Sequence, residues 1–185
     1  KNRIVGYTTK NNGGVPDNFR NYFVVEFDRP FTYTATADAN VLDENRTSVT
    51  TGHAAGLVGF RTKRGEQVNA RVASSFISPE QALLNLRELD GKDIDKVSAE
   101  GRDRWNELLG RFEIEDDNID NIRTFYSCLY RSLLFPHKLY EYDADNDIKH
   151  YSPYDGNLHD GYMFTGTGFW DTFRSLLQLV NLGDT

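Results

Sequence analysis

Before Ser78 the apolar residues come in short alternating or β-branched runs; after it they step by three and four. The segments NYFVVEF (21–27) and FTYTATA (31–37) are rich in aromatic and β-branched residues and flank the turn Asp28-Arg29-Pro30, so they read as strands. AAGLVGF (54–60) and QVNARVASSFI (67–77) follow, separated by the charged turn RTKRGE. In the last of these Val68, Ala70, Val72 and Ser74 alternate with polar residues, which predicts that their face is the buried one. Strands at this spacing predict part of an antiparallel β-sandwich over residues 1–78.

The helical half begins at SPEQALLNLREL. Ser78 stands at the N-cap, Pro79 at the first helical position and Gln81 three residues on, with Ala82, Leu83 and Leu86 as the apolar stripe and Gly91 as the stop. A second helix is predicted over about 93–110, with Val97, Trp105, Leu108 and Leu109 inward, and RFEIE is a candidate short strand. Residues 79–115 therefore read as a helical linker. From Ile119 to Leu134 a wide apolar face predicts a third helix, capped by Asp116 or Asp117 and stopped by Pro136. The stretch from Pro136 to Gly168, rich in Tyr, Asp, Gly and His, is expected to be an ordered functional loop. A last helix is expected from Trp170, with Phe173, Leu176, Leu177 and Val180 on one face.

Charge and composition narrow the function. Of 185 residues, 28 are acidic and 21 basic, giving a net charge of −7, and the basic residues form no stripe, so a nucleic-acid backbone would be repelled. No apolar run approaches the roughly 20 residues that span a bilayer. Aromatic residues reach 13%, with 10 Tyr and 12 Phe, which suits a sugar surface as well as an aromatic core. The one cysteine, Cys128, lies on a helical pattern and reads as a buried, inert thiol. The chain opens on KNRIVGYTTK and stops at NLGDT, both of which read like domain interior, so a piece of a longer protein is expected.

Candidate chemistry is concentrated late in the chain. Asp143, Asp145 and Asp147 alternate like the start of a calcium loop, yet Ile148 and Tyr154 stand where that loop needs a glycine and a bidentate glutamate, and a solvated acidic turn fits as well. The four histidines have no zinc spacing. His137 reads as a cap on helix-end carbonyls, and His159 could orient its neighbour Asp160. Asn45-Arg46-Thr47 is a glycosylation sequon in any host that glycosylates. Two readings compete for Trp170-Asp171. In one, the indole packs in the core while the carboxylate favours the helix dipole and pairs with Arg174. In the other, the indole covers the apolar face of a pyranose and the carboxylate accepts hydroxyl hydrogen bonds, which are about twice as strong when charge-assisted.

FYSCLYRSLLFPHKLYEYD followed by YSPYDGNLHDGYMFTGTGFWDTFRSLLQLVNL resembles the bacterial α-mannosidases of glycoside hydrolase family 92, and YFVVEFDRPF, SFISPEQALLNL and WNELLGRF resemble that family in the same order. The resemblance implies a multi-domain α+β chain: part of an N-terminal β-sandwich (1–78), a helical linker (79–115) and the first helices of an (α/α)6 toroid (116–185). It implies an exo-acting, calcium-dependent, inverting α-mannosidase that removes terminal mannose from glycans. Such enzymes hold acid and base roughly 6.5–9.5 Å apart. Trp170 and Asp171 match the family's tryptophan–aspartate pair at the terminal mannose, and Asp160 matches a further carboxylate reaching that sugar. The catalytic glutamic acid, the catalytic aspartate and the main calcium ligands are implied to lie beyond Thr185, so no catalytic or metal-binding residue is assigned within this chain, which alone is expected to be inactive. The missing C-terminal part of the same protein is the implied partner. A secreted, periplasmic or cell-surface bacterial location is implied as well. A different toroid hydrolase and a non-catalytic carbohydrate-binding or interaction module remain the alternatives.

Overall fold

The computed structural model describes residues 2–183, apart from the side chains of Phe169 and Asp171. The chain divides into two compact units. One runs to Glu88 and includes Pro153–Gly156; the other holds Leu89–Ser152 and the chain from Asn157 onward.

The first unit is built on two antiparallel three-stranded sheets. Strands β1 (Arg3–Thr8), β2 (Asn21–Phe27) and β6 (Ala70–Ser75) form one sheet in the order β1-β2-β6. Strands β3 (Tyr33–Asp38), β4 (Val41–Asp43) and β5 (Ala54–Gly59) form the other, in the order β4-β3-β5. β2 occupies the predicted 21–27, while β1 and β4 escaped the sequence reading because neither carries a clear alternation. At the crossed pair Gly6–Phe23, a Cβ on Gly6 would lie 2.6 Å from the Phe23 ring, so the glycine is the space in which that ring sits. Phe27, Phe31 and Phe60 meet with ring centroids 5.2–5.8 Å apart, Phe31 edge-on to both of the others and Phe27 tilted against Phe60.

The buried face of β6 is the opposite of the one predicted. Val72 is 58% exposed, and the residues turned inward are Arg71, Ala73 and Ser75. The register explains this: Ala73 pairs with Val24, the most deeply buried large side chain, and Ser75 with Tyr22. Helix α1 (Pro79–Asn85) packs against β2 and β6 and contributes Ala82, while Leu86, in the 3-10 turn that follows, is buried beside it. Its start follows the sequence reading: Ser78 Oγ accepts the Gln81 N–H at 3.0 Å, and Pro79 opens the first turn.

In the second unit, α2 (Ile94–Leu109) is capped by Asp93, whose side chain accepts the Lys96 N–H at 2.8 Å. Helix α3 (Ile119–Ser132) is capped by Asn118 rather than by Asp116 or Asp117; Asp116 braces that cap by accepting from Asn118 N–H and the Asn121 amide. RFEIE forms no strand. Trp105 of α2 and Tyr130 of α3 lie 4.5 Å apart between centroids, and the Tyr126 hydroxyl donates to the Phe112 carbonyl at 2.7 Å. Cys128 is exposed, not buried.

The expected loop from Pro136 is instead a set of short strands: β7 (His137–Lys138), β8 (Tyr140–Tyr142), β9 (Ile148–Tyr151), β10 (Leu158–Asp160) and β11 (Phe164–Thr165). β10-β9-β8 form one antiparallel sheet and β11-β7 another. The predicted last helix is broken in two, α4 (Phe169–Thr172) and α5 (Leu176–Gly183). The Thr172 hydroxyl donates to the Gly168 carbonyl at 2.8 Å, competing for the acceptor that a regular first turn would use.

Candidate functional site

The β9–β10 pairing sets the position of Asp160. Antiparallel register places Asp160 opposite Lys149 and His159 opposite His150. Side chains alternate along a strand, so the carboxylate–ammonium pair and the two imidazoles lie on opposite faces. Lys149 Nζ donates to Asp160 Oδ1, and the Asp160 side chain is still 84% exposed. That hydrogen bond holds the Asp160 carboxyl below the ordinary carboxylate range, with smaller contributions from His159 and His150. It raises Lys149 in turn. Asp160 is therefore an ionised acceptor with much of its surface open.

His159, the neighbour of Asp160, adds a smaller charge interaction that also lowers the Asp160 carboxyl. Its ring stacks on His150 at 5.8 Å and 28°, and His150 Nδ1 lies 2.8 Å from the Gly161 carbonyl. The residue that sequence reasoning missed is Lys149. Its partnership spans eleven positions and becomes visible only once the hairpin register is known. Gly161, at φ +98°, is the residue after the strand where the chain turns in the left-handed region.

The acidic run before β9 forms a tight turn closed on its own backbone. Asp143 Oδ1 accepts the N–H groups of Asp145 and Asp147, each at 2.9 Å, and Asn146 sits at φ +69°. These bonds fold the acidic run into an Asx-type turn. Among the described residues no three His, Cys, Asp or Glu side chains converge to hold a metal.

His137 is not a helix cap either; it lies in β7, paired with Thr165, with its ring 4.5 Å from that of Phe135. Gly166, at φ +91°, closes over both rings: a Cβ there would meet Phe135 at 2.9 Å and His137 at 3.3 Å. This close approach fixes where the glycine-rich segment leaves β11 before α4.

Trp170 lies on α4 and is 88% exposed within this chain. The side chain of Asp171 lies outside the described residues, so its pairing with Arg174 is not described; the Arg174 guanidinium lies 5.4 Å from the centre of the Phe173 ring. Among the described side chains no hydrogen bond joins Asp160 to Trp170. What the segment presents is a free indole face and an ionised carboxylate, the chemistry that grips a polyhydroxylated ring.

The remaining apolar surface of this unit is also open. A groove of about 630 Å³ between α2 and α3 is lined by Trp105, Leu109, Tyr126 and Tyr130 among others. Ile119, Phe173, Leu177 and Leu182 are 41–70% exposed. No helix among the described residues is long and apolar enough to cross a membrane.

Comparison with known proteins accounts for this architecture. Residues 1–75 match the glycosyl hydrolase family 92 N-terminal domain, and residues 81–185 match the glycosyl hydrolase family 92 catalytic domain. Over 97% of its length the chain is similar to the family GH92 inverting mannosidase BT2199 of Bacteroides thetaiotaomicron, with 48% identity and a TM-score of 0.92. It is similar over the same share to the family GH92 alpha-mannosidase BT3965 of that organism, in complex with mannoimidazole (25% identity, TM-score 0.78) and without it (26%, 0.77). The chain spans 24–25% of the length of these proteins. No curated protein sequence matches it. With both halves matched in order and nearly half of its residues identical to one solved member, the chain belongs to glycosyl hydrolase family 92.

Proposed function

We propose that the parent protein is an exo-acting α-mannosidase that hydrolyses terminal α-mannosidic bonds of glycans with inversion. The observation that carries this reading is the 48% identity, across 97% of the chain, to an inverting mannosidase of the same family. Residues 1–78 are then part of the N-terminal β-sandwich, 79–115 the linker and 116–185 the start of an (α/α)6 toroid. Ile119 and Tyr130 on α3, Leu177, Val180 and Leu182 on α5, and the α2–α3 groove are open, as suits helices that still lack neighbours.

Within this chain, Trp170 stacks on the terminal mannose, Asp171 accepts its hydroxyls and Asp160 assists. Lys149 hydrogen-bonds Asp160 from across the hairpin and holds its carboxyl below the ordinary range. An ionised carboxylate is acceptor-only, so it selects hydroxyl donors and carries no proton to the glycosidic oxygen. Protonation of the leaving oxygen and activation of water belong to carboxyl groups in the rest of the parent. The calcium dependence we propose rests on ligands in the parent beyond residue 185. A secreted, periplasmic or cell-surface location fits a glycan substrate.

The test is an assay of the purified parent on aryl α-mannosides and α-mannobiose, with the released anomer followed by NMR. Hydrolysis giving β-mannose first, abolished by a chelator and restored by calcium, is the expected result. The 185-residue chain alone should show no turnover. A folded parent that leaves every mannoside intact, or chelator-sensitive turnover by the short chain, would overturn the assignment.

A further inference from the structure

We propose that Asn45 is an acceptor for N-linked glycosylation, a modification independent of the sugar site on the second unit. The sequence around it is Asp43-Glu44-Asn45-Arg46-Thr47. It satisfies the minimal Asn-x-Thr requirement. It also places a carboxylate two residues before the acceptor, the extra feature that bacterial N-oligosaccharyltransferases demand.

The structure makes that motif usable. Asp43 ends β4, the three-residue edge strand of the β4-β3-β5 sheet, and Ala54 starts β5, so the sequon opens a ten-residue connection. Asn45, Arg46 and Thr47 are exposed. Among the described residues, neither the Asn45 carboxamide nor the Thr47 hydroxyl takes part in a hydrogen bond. Asp43 accepts the Asn45 backbone N–H at 2.9 Å and pairs with Arg46 Nε at 3.1 Å, contacts confined to the turn itself. A transferase can replace them with its own without disturbing the sheet, because β4 is paired on one side only.

The site also has something to protect. Val41 is 72% exposed and Leu42 50%, on a strand whose outer edge has no partner among the described residues. Open edges with apolar side chains invite pairing with other chains, and a bulky polar group beside one blocks it. A glycan on Asn45, two to four residues along the chain, stands at that edge.

The transfer is a substitution at an anomeric carbon. The Asn45 amide nitrogen forms a bond to C1 of an oligosaccharide carried on a lipid pyrophosphate. The bond from C1 to the pyrophosphate oxygen breaks and its electron pair leaves with the lipid pyrophosphate. The amide proton passes to a base on the transferase. Nothing is oxidised or reduced. Because these enzymes act on exported chains, the proposal shares the extracytoplasmic location proposed above but not the mannosidase activity.

The experiment is peptide mass spectrometry on the full-length parent, exported in two hosts. One has a transferase that requires the acidic residue; the other reads Asn-x-Thr alone. A reporter sequon fused to the parent's C-terminus controls for export and transfer. We expect the peptide carrying Asn45 to gain the host's glycan in both, and Asn45→Gln and Thr47→Ala to abolish this in both. Asp43→Ala should abolish it in the first host only, with far-UV circular dichroism unchanged. An unmodified Asn45 peptide beside a fully modified reporter overturns the proposal, as does modification that survives Asn45→Gln at the same peptide. Mannoside hydrolysis, measured on the same samples, reports separately on the mannosidase reading.

Discussion

Two rows of charge cross antiparallel strands in this molecule, and they have opposite fates. In the first unit Arg3, Glu26 and Arg71 stand in register across β1, β2 and β6. Both arginines hydrogen-bond the Glu26 carboxylate, whose side chain is only 11% exposed. In the second unit Asp160 has one partner, Lys149, and is 84% exposed. The same cross-strand geometry yields a closed triad in one place and an open acceptor in the other. Burial decides between them. A carboxylate removed from water needs each of its lone pairs met, whereas an exposed one can exchange partners at little cost.

The sharpest way to break the comparison is to remove the buried acid. Glu26→Ala leaves two guanidinium groups facing each other beside Val24. Loss of charged hydrogen bonds at a mostly buried site should cost about 1.5–3 kcal/mol of unfolding free energy. Urea denaturation of the parent, followed in the N-terminal domain, measures this. A cost near zero would mean that the triad is no more than surface charge. In the second unit, Asp171→Ala should act the other way round: kcat/KM on an aryl α-mannoside falls by about tenfold to a hundredfold, while the melting temperature stays nearly constant. Activity and stability falling together would return Trp170-Asp171 to a structural role.

Acid sharpens the comparison further. The hydrogen bonds from Arg71 and then Arg3 lower the Glu26 pKa in the folded chain. A depressed carboxyl contributes stability that is complete above its unfolded pKa and is lost as the pH falls through its folded pKa. The wild-type minus Glu26→Gln difference in unfolding free energy should therefore be flat at neutral pH and shrink in the acid range below the usual glutamate pKa. A difference independent of pH would show that Glu26 contributes by packing alone.

What could be read from the sequence follows from how local each signal is. Ser78, Pro79 and Gln81 define a helix start within four residues, and the structure keeps that start. The strand at 21–27 needs only its own composition. Which face of β6 is buried could not be read locally, because α1, not the alternation of Val68, Ala70 and Val72, selects it. The same holds at the site. Asp160 could be picked out as a carboxylate near Trp170-Asp171 through family resemblance, but Lys149 could not, since only the β9–β10 register brings it across. The stretch from Pro136 to Gly168 looked like a loop because strands of two to four residues leave almost no periodic trace.

The smallest expected effect is the most discriminating for Asp160. Lys149→Met keeps the aliphatic stem and removes the charge. Because the pair is largely solvent-exposed, the melting temperature of the parent should stay within about one degree of the wild type. The chemistry should respond instead. Without the ammonium group, the Asp160 carboxyl returns upward toward its ordinary value, so it is neutralised at a higher pH than in the wild type. A neutral carboxyl offers a poorer acceptor to a sugar hydroxyl. On the proposed role the acid limb of the kcat/KM profile moves to higher pH, while KM at neutral pH, where the carboxyl is ionised in both proteins, changes little. Asp160→Asn should remove the acid-limb shift altogether and make the Lys149 substitution silent, since the two residues act through one bond. If instead Lys149→Met leaves the acid limb untouched, Asp160 has no part in binding, and the hairpin row is as structural as the triad in the first unit.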